Sequence, residues 1–279
     1  MLLDQYGEYV FLDGAFGTML QKHGLKPGQK PDIMNITAAR TVESIHRMYV
    51  EAGSDIICTN TFGANAESLR NSPYSPEEII QAAVAIAKDA SRGEAKVALD
   101  IGPIGVLLEP LGDLEFQRAY DLFREQAIAG EKAGADLAAI ETMSDVTELK
   151  AAILAVTENT SLPVFATMTF DENGRTYIGC TPEGFIQTIK GLNVTAAGIN
   201  CSLEPAKMFS TVERIAKTAG LPVIVKPNAG LPEGQTGNYS IGPSEFARQM
   251  TQYKGIARII GGCCGTTPEY IRELKSAFR

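Results

Sequence analysis

The most constraining feature of the chain is a series of eight short apolar, often β-branched runs, each ending in a polar or glycine-rich turn. They cover residues 9–12, 55–58, 97–99, 137–140, 164–168, 196–199, 223–225 and 257–260. Their starts lie roughly 27–46 residues apart, which leaves room for a crossover helix every time. The intervening segments read as helices. Val42, Ile45, Met48, Tyr49 and Ala52 recur at helical spacing, and Gly53 stands where a helix would end. Phe116, Leu122, Phe123 and Ala127 form a second stripe that ends near Gly134. Thr181-Pro182-Glu183 reads as a cap, a first-turn proline and a first-turn acid. Either Thr266 with Glu269, or Thr267 before Pro268, opens the last helix. Eight strands alternating with helices predict an α/β fold, a single TIM (β/α)8 barrel; a doubly wound open sheet is the alternative. At 279 residues the chain has the length of one such barrel, and 1–279 is expected to form a single domain. Two connections are long and rich in Gly and Pro, 14–35 and 228–243. Both follow strand C-termini, the face on which barrels carry their chemistry.

Composition narrows the function. The net charge of −8, without long single-sign runs, argues against nucleic acid and against an anionic membrane surface. No apolar run approaches the roughly 20 residues of a membrane span, and the N-terminus lacks the basic start and apolar stretch of a signal peptide. A cytoplasmic location is expected. The five cysteines, Cys58, Cys180, Cys201, Cys263 and Cys264, are an odd number and a poor disulfide framework.

Two strands run directly into cysteine, one into Asn200-Cys201-Ser202 and one into Gly261-Gly262-Cys263-Cys264-Gly265. In a closed barrel these two strands are separated by a single neighbour, so thiols about 60 residues apart meet at one mouth. Three thiolates with one open position suit a catalytic Zn²⁺. Adjacent ligands cannot both face a metal from a regular strand, and the flanking glycines permit the irregular backbone this requires. On spacing alone, a phosphate site at the Gly-Gly turn and inert or redox thiols stay open. Cys58 reads as a core cysteine and Cys180 as a loop residue. His46, on an amphipathic helix, is expected at the surface or its boundary, and His23 could reach substrate from the first long loop. Lys226 ends a strand where a Schiff-base lysine could sit, an aldolase-type alternative; a non-catalytic zinc or redox protein is another.

At these residues the chain resembles the homocysteine S-methyltransferase family, and within it the homocysteine-binding barrel of the cobalamin-dependent enzymes. The resemblance rests on Asp13-Gly14-Ala15-Phe16-Gly17-Thr18-Met19, Thr59-Asn60-Thr61-Phe62-Gly63-Ala64-Asn65, Asp100-Ile101-Gly102-Pro103, Glu141-Thr142-Met143-Ser144-Asp145, Gly198-Ile199-Asn200-Cys201-Ser202, Pro227-Asn228-Ala229-Gly230 and Gly261-Gly262-Cys263-Cys264-Gly265-Thr266-Thr267-Pro268. It implies Cys201, Cys263 and Cys264 as zinc ligands and catalytic centre, homocysteine as methyl acceptor and methionine as product. Asp13 and Glu141 are then expected on the substrate ammonium, and backbone amides around Gly14-Ala15 or Gly102 on its carboxylate. Thr59, Asn60 and Asn200 are expected as supporting polar groups. Asn228 is expected to fill the fourth zinc position when substrate is absent. The methyl donor is expected to be methylcobalamin on a separate corrinoid protein or domain, because the chain ends at Arg279 soon after its last helix. S-methylmethionine and betaine are the alternatives.

Overall fold

The computed structural model describes residues 2–233 and 239–279. Its strands are β1 (Val10–Phe11), β2 (Ile56–Cys58), β3 (Lys96–Ile101), β4 (Leu137–Met143), β5 (Val164–Met168), β6 (Val194–Asn200), β7 (Val223–Lys226) and β8 (Ile259–Ile260). All neighbours pair in parallel, in the order β1-β8-β7-β6-β5-β4-β3-β2. A single parallel bridge, Leu12 to Ile56, joins the two ends and closes the barrel. Asp55 reinforces that seam: its N–H donates to the Phe11 carbonyl at 2.7 Å and its carboxylate accepts from Phe11 N at 2.8 Å. The expected (β/α)8 barrel is what forms, and the open-sheet alternative falls with the closing bridge.

The helices are α1 (Phe16–Lys22), α2 (Met34–Thr37), α3 (Ala39–Ala52), α4 (Pro76–Ser91), α5 (Phe116–Ala133), α6 (Val146–Asn159), α7 (Pro182–Ile189), α8 (Pro205–Ala219), α9 (Pro243–Met250) and α10 (Pro268–Ala277). The stop signals act as their chemistry predicts. Gly53 and Gly134 end α3 and α5 at φ of 103° and 97°, a left-handed conformation that costs glycine little. Thr181 caps α7 by accepting from Gly184 N. The last helix starts at Pro268 with Thr267 as its N-cap residue, so the Thr266–Glu269 box does not form. Thr266 is instead fully buried, its hydroxyl donating to the Cys263 carbonyl at 2.7 Å.

Strand alternation sorts side chains into two layers. Val10, Leu12, Ile56, Ala98, Leu137, Ala139, Phe165, Ala196, Ile224 and Ile259 fill the barrel interior. The outward residues pack under the helices. Following the inward positions toward the C-terminal mouth, the apolar filling gives way to polar groups two residues on. Ile56 leads to Cys58, Ala98 to Asp100, Ala139 to Glu141, Phe165 to Thr167 and Ile224 to Lys226. The barrel is thus an apolar plug with an ionisable floor at one end. The first long connection lies on that face. The second, 228–243, includes residues 234–238, which lie outside the described residues. Among the described residues no helix is long and apolar enough to cross a membrane.

His46 departs from expectation. It is fully buried rather than at the surface, with its ring 4.5 Å from that of Phe16. Burial pushes its pKa down to about 3, so it is a neutral packing residue. The helical stripe placed His46 one position from Ile45, and α1 packs over a wider arc of α3 than the aliphatic stripe alone marks.

Candidate functional site

A cavity of about 240 Å³ opens at the C-terminal mouth, lined by the C-terminal ends of β2, β3, β4 and β7 and by the loops after β1, β2, β6 and β8. Its upper wall holds the three cysteines. The Sγ atoms of Cys201, Cys263 and Cys264 all lie within 4.8 Å of one another, and Cys201 and Cys264 are 3.7 Å apart. Ligands at zinc–sulfur distances in a tetrahedron sit roughly 3.8 Å apart. The backbone is bent to achieve this. Cys201 and Ser202 both have φ of 62°, unusual for residues with a Cβ, and turn the thiol inward just past β6. Past β8, Cys263 N donates to the Pro227 carbonyl at 2.8 Å and Thr266 N to the Cys263 carbonyl at 3.0 Å, a tight turn that lets both adjacent thiols face one point. The glycines permit it: Gly265 has φ of 84°, and a Cβ on Gly262 would lie 2.3 Å from the Thr266 hydroxyl.

The electrostatics of the cluster ask for a cation. Hydrogen bonds from Cys263 and Cys264 pull the Cys201 thiol well below the usual thiol range. Its presence then pushes Cys264 up to about 12 and Cys263 well above the usual thiol range. Three sulfurs this close cannot all ionise without a positive charge among them. A soft dication supplies that charge, and all-sulfur ligation selects zinc or a softer metal. Asn228 adds a neutral donor. Its amide bonds to Cys201 while its Oδ1 is buried without a partner. The three-sulfur donor set therefore fits a metal ion.

Behind the cysteines stands Asn200, fully buried. Its Oδ1 accepts from Thr142 N at 2.8 Å and from Thr167 Oγ1 at 2.7 Å, and its Nδ2 reaches Thr142 Oγ1 at 2.7 Å and Cys263 Sγ at 3.8 Å. Thr142, at φ of 64°, joins Cys201 and Ser202 as a strained residue near a strand end.

The floor is acidic with one embedded cation. Asp13 Oδ2 accepts from Cys58 N at 2.7 Å, and its Oδ1 is buried without a partner. Burial pushes the Asp13 carboxyl up to about 6, against the pull of Lys226. Burial first, and then the Glu141 charge, push the Asp100 carboxyl well above its usual range. Glu141 pairs with Lys226 at 2.5 Å, Oε2 to Nζ. For Lys226, burial alone would lower the pKa; the charges of Glu141, Cys58 and Asp13 outweigh it, and the ammonium is held well above its usual range. A Schiff-base nucleophile needs the opposite shift, so the aldolase-type role of Lys226 has no support in this geometry.

The expected site residues assemble unevenly. Asp13, Gly14, Ala15, Thr59, Asn60, Glu141, Cys201, Cys263 and Cys264 all line the cavity. Two of the backbone amides expected around a carboxylate bond within the protein: Ala15 N donates to the Thr266 carbonyl at 3.0 Å and Gly102 N to the Phe62 carbonyl at 3.0 Å. Thr59 and Asn60 act on the protein itself. Thr59 Oγ1 accepts from Asp100 N at 3.1 Å, and Asn60 Nδ2 donates to the Pro31 carbonyl at 2.8 Å. Asn35 adds a bond to the Asn60 carbonyl at 2.7 Å, and Asp32 accepts from Gly63 N at 2.9 Å, so the 14–35 connection is pinned over the mouth. His23 is exposed, its Nδ1 2.8 Å from the Met19 carbonyl, and does not line the cavity. Cys58 is buried as expected and also lines the cavity floor; Cys180 lies elsewhere. Sequence reasoning passed over Asp100, Thr142, Thr167 and Tyr239. The first and third follow from inward parity. Nothing in the sequence placed Tyr239, whose ring would meet a Cβ on Gly265 at 2.3 Å.

The barrel gathers three thiols that could hold a metal ion, together with Asp13 and Glu141, around one cavity at its C-terminal mouth, the face on which such barrels carry their chemistry. The family model described as homocysteine S-methyltransferase matches residues 10–278, and the chain belongs to that family. It is 34% identical over 303 aligned positions to a methionine synthase of Mycobacterium leprae (strain TN). It is 35% identical to a methionine synthase of Mycobacterium tuberculosis (strain ATCC 25618 / H37Rv). Each alignment covers 99% of this chain and 25% of the relative, so the chain spans about a quarter of the length of these proteins. The homocysteine methyltransferase MmuM from Escherichia coli shares the fold, with TM-scores of 0.85 in its oxidised form and 0.84 in its metallated form. Both are 23% identical and cover 99% of this chain and 97% or 98% of that one.

Proposed function

We propose that the chain transfers a methyl group to the sulfur of homocysteine, giving methionine, with the acceptor sulfur bound beside Cys201, Cys263 and Cys264 on Zn²⁺. The observation that carries this is the convergence of three thiols within 4.8 Å directly over a cavity with an acidic floor. A free thiol of pKa roughly 8.5 is mostly protonated at neutral pH, whereas the thiolate is the nucleophile. Zinc, when bound, would supply the positive charge that keeps the acceptor sulfur ionised. Asp13 and Glu141 face the substrate ammonium from opposite sides of the floor. Asn200 orients Cys263, and Asn228 offers its oxygen where the substrate sulfur will stand. The sulfur lone pair forms the new S–C bond, and the electron pair of the broken bond leaves with the donor.

Residues 1–279 are proposed to act as one homocysteine-binding unit, with methylcobalamin carried by a separate corrinoid protein or domain as donor. The names of the mycobacterial relatives favour this over S-methylmethionine or betaine. A cytoplasmic location agrees with the five free thiols. The test is a donor panel with zinc-loaded protein and homocysteine, with methionine measured. Methylcobalamin should support turnover, and methyltetrahydrofolate should not unless a corrinoid protein is added, because its leaving group is a poorly acidic amine. Turnover with S-methylmethionine and none with methylcobalamin would overturn the donor assignment and leave the acceptor half standing.

A further inference from the structure

The cavity floor places one cation among three carboxyl groups, and the cation belongs to two subsites at once. Lys226 is the last inward residue of β7, two past Ile224, with 4% of its side chain exposed. Its Nζ crosses the mouth to Glu141 Oε2 on β4, 2.5 Å away. Its own carbonyl accepts from Cys201 N at 3.0 Å, and the next carbonyl, that of Pro227, accepts from Cys263 N at 2.8 Å. The backbone of this dipeptide therefore sets where the cysteines stand, while the side chain sets where the Glu141 carboxylate stands. Glu141 keeps 13% exposure and lines the cavity. With Oε2 held by Lys226, the face left to a ligand is that of Oε1.

We infer that Lys226 is a positioning residue that gives the pocket its preference for thiols carrying an α-ammonium, by fixing the Glu141 carboxylate at a set distance from the sulfur site. This rests on the homocysteine reading above. The physical argument is one of orientation. A carboxylate with two free rotors loses much of its advantage in holding a small cation, whereas one anchored through a single oxygen presents the other in one place. Lysine suits the task because its four-carbon stem reaches across the barrel and ends in a point charge. Without that partner nothing in the observed geometry would hold Glu141 Oε2, and the carboxylate would be free to turn away from the sulfur site.

The test uses the zinc-loaded full chain with methylcobalamin as donor and two acceptors, homocysteine and its desamino analogue 4-mercaptobutyrate. In K226M, zinc content should equal wild type. KM for homocysteine should rise at least tenfold with kcat changed less than threefold, and use of 4-mercaptobutyrate should be unchanged or better. The preference for homocysteine over the analogue should thus fall at least tenfold. E141Q should lose the same preference alone, and adding it to K226M should change the ratio less than threefold further. K226Q, which keeps a donor for Glu141, should retain part of the preference and serves if K226M does not fold. A merely structural lysine would weaken both acceptors alike. An unchanged preference in a zinc-replete K226M, a parallel loss on both thiols, or additive effects of K226M and E141Q would overturn the inference. A wild-type protein that methylates neither thiol would overturn the homocysteine reading and this inference with it.

Discussion

The amide of Asn200 grips Thr142 twice, accepting from its N–H at 2.8 Å and lying 2.7 Å from its hydroxyl, while the same amide reaches Cys263 Sγ at 3.8 Å. This one side chain ties the strained end of β4 to the cysteine turn after β8. Asn200→Ala removes several buried bonds at about 1 kcal/mol each and leaves Thr142 N without an acceptor. The variant should lose about 2–4 kcal/mol of stability by chemical denaturation. It should also bind zinc roughly 10–100-fold more weakly in competition with a chelating dye. Unaltered zinc affinity would remove Asn200 from the support of the cluster.

Freshly purified protein should contain about one zinc per chain. Cys201→Ala, Cys263→Ala and Cys264→Ser should each lose most of it. Cys180→Ala, remote from the cavity, should keep it. Elemental analysis decides the matter, and full zinc retention in the Cys264 variant would sink the ligand assignment.

Homocysteine should bind with release of about one proton at neutral pH, since the thiol is held as thiolate. Calorimetry in buffers of different ionisation enthalpy measures this directly. Binding should weaken as the pH falls through about 6, where the Asp13 carboxyl takes up its proton and no longer answers the ammonium. Because release of the thiol proton alone lowers the affinity about tenfold per pH unit, the fall should steepen below about 6, and a slope that stays constant through that range would separate Asp13 from substrate.

Glu148 gives a stability prediction away from the chemistry. It is buried, accepts from Ile104 N at 2.7 Å, and burial pushes its carboxyl from 4.5 up to about 7. The folded chain then binds this proton more tightly than the unfolded chain. The resulting stabilisation is full below pH 4.5 and is lost as the pH rises through about 7. Its size is at most about 3 kcal/mol. Glu148→Gln keeps the acceptor for Ile104 and removes the titration. Denaturation midpoints at pH 5 and pH 8 should therefore differ less in the variant than in wild type. Equal differences would mean that Glu148 titrates normally.

Much of the barrel was legible because its signals are local. Each strand announces itself by a short apolar run, and Gly53, Gly134 and Thr181 end or begin helices by their own conformational preferences. The cysteines were legible too, since any closed barrel brings the ends of β6 and β8 within one strand of each other. His46 was misplaced because helical periodicity shows that a face is buried, while the width of that face depends on what packs over it. The engagement of two of the expected carboxylate amides has a related cause. Whether Ala15 N and Gly102 N are free depends on Thr266 and Phe62, and proximity in sequence says nothing of the former.

The order of chain chemistry by itself determined the eight-fold alternation, the polar residues two past Ile56, Ala98, Ala139, Phe165 and Ile224, and the meeting of Cys201 with Cys263 and Cys264. Those follow from strand parity and from the closure of a parallel sheet, which are properties of the backbone. Only the tertiary structure decided that Lys226 answers Glu141 across the mouth, that Asn200 serves Thr142 and Cys263 together, and that Asp13 keeps one oxygen open. Each of those is a choice among several partners within reach. It is settled by side-chain rotamers and by the charges left unsatisfied in a water-poor floor, and neither quantity exists until the strands are in place.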